Sequence, residues 1–221
     1  MKEQPIVIAI DGTSASGKST AARLLAKTLH YAYVDTGAMY RALAWFCVKN
    51  KVELSDAAAV ARACRRWKTT LAGEAGTARP VQLLVEGYYP EKEIRSPEVT
   101  AAASFVAAVP KVRQWMKTKQ RECIQFGNLV MEGRDIGTNV FPETDFKFYL
   151  DASLAERNRR RQAEGVQDNL DARDKRDSQR AAAPLMIALG ALIIDTSGRK
   201  PDEINQIILA EFERRLALRR K

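Results

Sequence analysis

The sequence predicts an α/β fold, a parallel central sheet flanked by helices, and three observations carry that reading. Short continuous apolar runs, such as residues 6–10, recur along the chain and read as strands buried on both faces. Stretches of helical spacing separate them, and such alternation points to parallel crossovers. A turn of small and hydroxylated residues follows the first run and leads straight into a helix, as a ligand site at a strand end requires.

Taken in order, residues 6–10 form the first strand, and 18–30 a helix with Ala21, Leu24, Leu25 and Leu29 on one side. Residues 33–35 are a short strand ended by Thr36 and Gly37, and 39–50 a second helix. From 69 to 89 the pattern becomes TTLAG, a Gly/Ala-rich turn, then VQLLVEG, which is hairpin chemistry and predicts a small antiparallel insert. Two helices, 97–108 and 110–126, each begin with proline in the first turn. Strands follow at 129–132 and 146–150, then an arginine-rich helix at 153–162 and a polar loop or hinge at 163–171. A last strand at 192–195 precedes an amphipathic helix, 202–218, with Ile204, Ile207, Ile208, Phe212 and Leu216 inward.

A chain of 221 residues suits one medium domain with its own core. No run reaches the roughly 18 apolar residues of a membrane helix, and 6–10 is too short for a signal-peptide core. A cytoplasmic protein with no membrane partner is the expectation. Cys47, Cys64 and Cys123 are far apart with no CxxC pair, so they read as reduced, buried thiols rather than metal ligands. The net charge of +9 admits nucleic-acid or polyphosphate ligands. Part of it is the tail, where Arg214, Arg215, Arg219, Arg220 and Lys221 suit a solvated helix. His30, the one histidine, follows a helix and reads as its end cap rather than a catalyst.

The opening turn fits the phosphate-loop pattern GxxxxGK[ST]. Gly12, Thr13, Ser14, Ala15, Ser16 and Gly17 are small, so that backbone N–H groups can turn inward around a phosphate at a helix N-terminus. Lys18 reaches the β- and γ-phosphates, the Ser19 hydroxyl ligates Mg²⁺ carried with ATP, and Thr20 continues the turn into the helix. The pattern alone does not choose a reaction. A GTPase should show DxxG and NKxD, and the nearest string, NKVE at Asn50, lies too early on a helix end. A translocating ATPase should offer more length and a clear carboxylate after four apolar residues, a feature NLVMEG meets loosely.

The rest of the chain is dense in arginine. Asp35 to Arg41 starts at a strand end, and either a capped helix start or a ligand site explains it. Glu132-Gly-Arg-Asp-Ile-Gly137 leaves another strand the same way, and two glycines around an Arg-Asp pair are costly for structure alone. Residues 173–180, RDKRDSQR, fit an exposed helix laced with ion pairs equally well.

With these residues in view, the sequence resembles the bacterial cytidylate kinases. IDGTSASGKST, VDTGAMYRALA, EIRSPEVTAAASFVAAVPKVR, MEGRDIGTNVFPETDFKFYLDAS and RDKRDSQRAAAPL occur in that family's order across essentially the whole chain. The resemblance implies a single phosphate-loop kinase domain over 1–221, with an insert binding the nucleoside monophosphate at about 69–95 and a short lid at about 162–172. It implies transfer of the γ-phosphoryl of ATP to CMP or dCMP, by a monomer with no nucleic-acid partner.

By the same resemblance Ser104, Arg113 and Asp135 read the cytosine, an assignment its chemistry supports: the N4 amino group donates to a carboxylate and the ring acceptors suit a guanidinium. Thr36, Arg41 and Arg134 hold the acceptor phosphate, with Asp35 beside them in the CMP-binding set, and Arg173 and Asp177 hold its sugar, with Arg180 close by. Arg157, Arg160 and Arg161 are lid arginines over the donor phosphates. Lys18, Arg134, Asp135 and Arg160 make up the expected catalytic set. Related kinases acting on UMP, AMP or shikimate are the nearest alternative, and Arg65, Arg66, Trp67 and Lys68 with the tail would suit a nucleic-acid module.

The chain departs from the family at three places. Thr13 stands where proline is common, Thr36 where serine is common, and 162–172 is shorter by about ten residues than in many relatives. A short lid covers less of the donor, so closure is expected to be small, the arginine helix swinging inward about Gly165 and Asp151.

Overall fold

The computed structural model describes residues 4–165 and 169–219. Its first strand, β1 (Val7–Gly12), runs into α1 (Lys18–Leu29), β2 (Ala32–Asp35) and α2 (Thr36–Lys49). A helix the sequence reading passed over, α3 (Ala57–Arg66), then leads into a hairpin, β3 (Thr69–Ala72) and β4 (Gln82–Val85). The chain continues through α4 (Pro97–Ala108), α5 (Pro110–Glu122), β5 (Leu129–Gly133), β6 (Phe146–Asp151), α6 (Leu154–Ala163), α7 (Leu170–Ser178), β7 (Leu192–Asp195) and α8 (Pro201–Arg219).

The five long-range strands form one parallel sheet in the order β2-β5-β1-β6-β7. The expected α/β architecture is therefore present. Every residue of β1, β2 and β5 is buried, as their uninterrupted apolar runs require. Alternation of side chains then divides the core in two. Val7 and Ala9 face a layer with Val34, Leu43, Val106 and Met116 from α2, α4 and α5. Ile8 and Ile10 face Ala21 and Leu25 of α1 and Ile204, Ile208 and Phe212 of α8. Leu24 and Leu29 are only half-buried, so α1 turns its Ala21, Ala22, Leu25 and Ala26 stripe inward rather than the expected one.

α3 is capped by Asp56, whose carboxylate accepts from the N–H groups of Ala58 and Ala59. It buries Val60, Ala61 and Cys64 on α2. Trp67 packs on Phe46, ring centroids 5.5 Å apart, so that aromatic is core rim. The three cysteines are free and buried. His30 ends α1 in the left-handed region at φ 55°, the capping position expected of it. Arg214 and Arg215 both pair with Glu211 along α8, while Arg220 and Lys221 lie outside the described residues. No described helix is long and apolar enough to cross a membrane.

Candidate active site at the strand ends

Parallel strands present their C-terminal ends to one side, and the cleft lies there. It has a volume of about 950 Å³ and runs from the phosphate loop, past the start of α2, to α4, α5 and α7. Glycine makes the loop possible in two ways. Gly12 has φ +149°, and a Cβ there would stand 1.9 Å from the Leu150 carbonyl oxygen, so only glycine lets β1 pass β6. Gly17 has φ +87° at the helix N-cap and turns the loop into α1. Among the nine loop residues expected to hold the donor, Ala15, Gly17, Lys18, Ser19 and Thr20 line the cleft.

The other four shape the loop from behind. Thr13 donates its hydroxyl to Asp151 (2.7 Å) and Ser16 donates to the Thr13 carbonyl (2.9 Å). Lys18 folds back so that Nζ donates to the Thr13 carbonyl oxygen at 2.5 Å. Burial, then the Arg134 guanidinium, hold its ammonium well below the ordinary lysine range. The negative charge of an incoming phosphate would oppose both effects.

Beside it stands Glu132 at the end of β5, buried at the edge of the cleft and accepting from the Tyr33 hydroxyl at 2.8 Å. Burial and then the Asp35 carboxylate raise it above the usual carboxylate range, while Lys18 and the Ser19 hydroxyl oppose the rise. A hydroxyl and one carboxylate are hard oxygen donors, a set that suits a Mg²⁺ arriving with polyphosphate. The sequence reading saw Glu132 only as a loose match, yet it is the carboxylate nearest this chemistry.

Asp35 and Thr36 both line the cleft, and both also fasten the start of α2, with Asp35 as the helix cap that the sequence offered as an alternative. The Asp35 carboxylate is the N-cap of α2, accepting from Ala38 N–H at 2.8 Å and pairing with Arg41 at 3.2 Å. The Thr36 hydroxyl donates to the Glu132 carbonyl oxygen at 2.7 Å, so its one proton is committed to fastening α2 onto β5. Asp35 positions Arg41, which lines the cleft and whose buried Nε has no partner among the described residues. An unpaired buried guanidinium nitrogen is costly unless a ligand completes it, which suits a phosphate.

Deeper in the cleft Arg113 donates to Asp135 at 2.7 Å, and Asn139 donates to the same carboxylate at 2.9 Å. The Arg113 guanidinium lies 5.6 Å from the Tyr40 ring centroid, and its buried Nε is also unpaired. Burial pushes the Tyr40 phenol up to about 12, so it stays protonated. Ser104 of α4 borders the same space. The three residues expected to read cytosine thus converge from α4, α5 and the loop after β5.

Asp135 is held in turn by a single π-helical turn, Ile136–Val140, whose first N–H groups, of Ile136 and Gly137, donate to Asp11 at 2.8 and 2.7 Å. Arg134 bridges the two halves: Nη2 donates to the Ser14 hydroxyl (2.9 Å) and Nε to Asp177 (3.0 Å). Asp177 also pairs with Arg180, whose pKa falls to about 10 through burial and then the Arg113 charge. Arg173 borders the cleft on the same helix.

Of the lid arginines, Arg160 and Arg161 border the cleft and Arg157 does not. Arg157 is buried, donating to the Ala152 and Ser14 carbonyl oxygens and to Asp174, so it braces the loop from behind. Arg159 reaches the cleft in its place, although its guanidinium pairs with Glu156. In this structure α6 rests on the loop, anchored at Arg157 and Arg160. Residues 166–168 of the proposed short lid lie outside the described residues.

Sequence reasoning missed the far wall, formed by Gly198, Arg199, Lys200, Pro201 and Ile204. The strand-end rule applied to β7 would have found it. Among the described residues no three His, Cys, Asp or Glu side chains cluster as a metal-binding group.

Comparison with known proteins agrees with this geometry. The chain is 42% identical over 216 residues to the cytidylate kinase of Desulfitobacterium hafniense (strain Y51), covering 93% of this chain and 91% of that one. It is 40% identical over 216 residues to the cytidylate kinase of Lactiplantibacillus plantarum, covering 92% and 93%. A bifunctional pantoate ligase/cytidylate kinase of a Synechococcus strain is 39% identical over 221 residues, of which the chain spans 41% of that longer protein. The sequence model of the family described as cytidylate kinase matches residues 8–214, which takes in the phosphate loop, the Arg113–Asp135 pair and α7 together, and the chain belongs to that family.

Proposed function

We propose that this cleft transfers the γ-phosphoryl group of ATP to CMP or dCMP, giving CDP or dCDP and ADP. The observation that carries the reading is the buried Arg113–Asp135 pair, its Arg113 Nε unpaired, in one continuous cleft with Lys18 of the phosphate loop.

Asp135 accepts from the cytosine amino group, and Arg113 with Ser104 donates to the ring acceptors. Uracil would turn a second acceptor toward Asp135. Arg41 completes its unpaired nitrogen on the acceptor phosphate, beside the N-terminus of α2. Asp177, Arg173 and Arg180 border the sugar. At the donor end the loop N–H groups, Lys18 and Arg160 take the polyphosphate. Bound Mg²⁺ would add charge neutralisation between donor phosphates, held through Ser19 with Glu132 behind it.

No general base is needed, because the acceptor phosphate is already an anion. Alignment and charge neutralisation supply the rate. Arg134 stands at the junction of the two ends, where it can follow the transferring group. The high net charge of the chain follows in part from gripping two anionic nucleotides.

The test is a coupled assay with ATP against CMP, dCMP, UMP and AMP. CMP and dCMP should exceed UMP in kcat/KM by about a hundredfold or more, since a rejected base leaves buried polar groups unpaired. Equal values for CMP and UMP would remove the cytosine assignment and leave the kinase assignment standing.

A further inference from the structure

Ser14, at the tip of the phosphate loop and only 1% exposed, is gripped on all three of its polar groups by side chains from outside the loop. Its N–H donates to Asp174 of α7 at 3.0 Å. Its carbonyl oxygen accepts from Arg157 of α6 at 3.2 Å, and the same Arg157 nitrogen donates to Asp174. Its hydroxyl accepts from Arg134 at 2.9 Å, and Arg134 donates to Asp177 of α7 at 3.0 Å.

Two carboxylates three residues apart share one face of α7, so each reaches Ser14 through an arginine and Asp174 also reaches it directly. Asp177 belongs to the acceptor end of the cleft, where it also pairs with Arg180. Asp174 has no place in the reaction described above. A carboxylate beside an anion-binding loop carries an electrostatic cost, which Arg157 and the Ser14 N–H offset here. That it is tied to the loop backbone and not merely to a neighbouring helix is the feature that needs a reason.

We infer that Asp174 is a positioning residue that couples the two nucleotide ends, holding the donor loop in register with α7 so that an occupied acceptor end tightens ATP binding. The inference rests on the donor and acceptor ends assigned above. Because coupling of binding is reciprocal, ATP must tighten CMP binding by the same factor. A rigid α7 is the physical link: CMP orders Asp177 and Arg180 at one end, and Asp174 carries that order to the loop at the other. Asp174 contacts no nucleotide itself.

The experiment measures CMP affinity by calorimetry with and without a non-hydrolysable ATP analogue, in the wild type and in Asp174→Asn. The wild type should bind CMP about fivefold or more tightly with the analogue present, within the usual range of coupling between sites. In Asp174→Asn that factor should fall to within about twofold of unity, with CMP affinity for the free protein unchanged and KM for ATP raised. A structural brace alone would lower Tm and leave the coupling factor where it was, and that result overturns the inference. So does a wild type without coupling. If Asp174→Asn does not fold, Arg157→Lys, which keeps the charge and gives up the fork that reaches Ala152, Ser14 and Asp174 together, gives the same readout. Wild-type transfer from ATP to CMP, assayed alongside, reports on the reaction separately: transfer with unaltered coupling in the variants sinks this inference alone.

Discussion

The guanidinium of Arg113 and the carboxylate of Asp135 meet at 2.7 Å, both almost fully buried, and neither is satisfied by the other alone. Arg113 keeps an unpaired Nε, and Asp135 shares one oxygen between Arg113 and Asn139. A buried pair of this kind costs desolvation that hydrophobic residues would not, so it implies a ligand that completes it. Asp135→Asn keeps the shape and places an amide where a carboxylate stood. The amide can donate to a uracil carbonyl, which the carboxylate cannot. We expect kcat/KM for CMP to fall and the UMP to CMP ratio to rise by about tenfold or more, an effect of one hydrogen bond gained and one lost. A ratio that does not move in steady-state assays would show that Asp135 only braces Arg113.

Lys18 presents a different balance between stability and activity. Its ammonium is buried, faces Arg134 and Arg173, and is partly compensated by the Thr13 carbonyl, Glu132 and Asp174. Lys18→Met removes a desolvated charge and supplies apolar volume of similar length. Tm of the nucleotide-free protein should therefore stay level or rise, while kcat falls by about a hundredfold or more through loss of a contact made to the transferring phosphates. A calorimetric scan beside the coupled assay checks both signs. A variant retaining a tenth of the wild-type kcat would deny Lys18 that role.

Asp11 gives a pH dependence with a definite sign. Burial, the largest effect, lifts its pKa to about 6, against the lowering by the Gly137 and Ile136 N–H groups; Asp135 raises it and Lys18 lowers it. An acid whose native pKa lies above its unfolded value of 3.8 binds its proton first in the native state. Its contribution to stability therefore grows as pH falls through the window from about 6 to 3.8, and is lost as pH rises. Activity should run the other way. A protonated Asp11 no longer accepts evenly from Ile136 and Gly137, and the turn that presents Asp135 loosens. KM for CMP should rise as pH is lowered through 6 in the wild type. Asp11→Asn should show the raised KM at all pH values, because its amide must face one of the two N–H donors. A KM for CMP that is flat with pH in both proteins would refute the link.

The sheet was legible because each of its first strands is apolar without interruption, and burial on both faces leaves no other reading. α3 was not: Val60, Ala61 and Cys64 form a narrow inner stripe opposite Arg62, Arg65 and Arg66, but its small side chains do not stand out as core in an alanine-rich run. At the site, residue types were legible and their direction was not. Four arginines between 157 and 161 sit on one helix, and the docking of that helix, not the sequence, turns Arg157 to the loop backbone and Arg159 to the cleft. Thr36 was read as a phosphate ligand from its hydroxyl. The close approach at Gly133, where a Cβ would meet the Thr36 oxygen at 2.7 Å, leaves that hydroxyl facing the β5 backbone instead.

Arg160 makes the most demanding prediction, because it concerns motion. Its Nε pairs with Glu156 at 2.9 Å, Nη1 donates to the Ala15 carbonyl oxygen at 3.3 Å, and Nη2 donates to the Thr196 carbonyl oxygen at 2.7 Å. A Cβ built on Gly17 would lie 3.5 Å from Nη1, so the guanidinium already overlies the turn where phosphate N–H donors gather. With α6 docked on the loop through Arg157 and Arg160, closure is expected to need only side-chain exchange of loop carbonyl contacts for phosphate oxygens. Arg160→Ala should lower kcat by about tenfold or more, with CMP affinity unchanged, as removal of a preorganised cation would. Hydrogen exchange with an ATP analogue plus CMP should leave the middle of α6 as protected as before and add protection only near its C-terminal turn at Gly165. Free exchange across all of α6 without nucleotide, becoming slow on binding, would restore a swinging helix and discard the docked one.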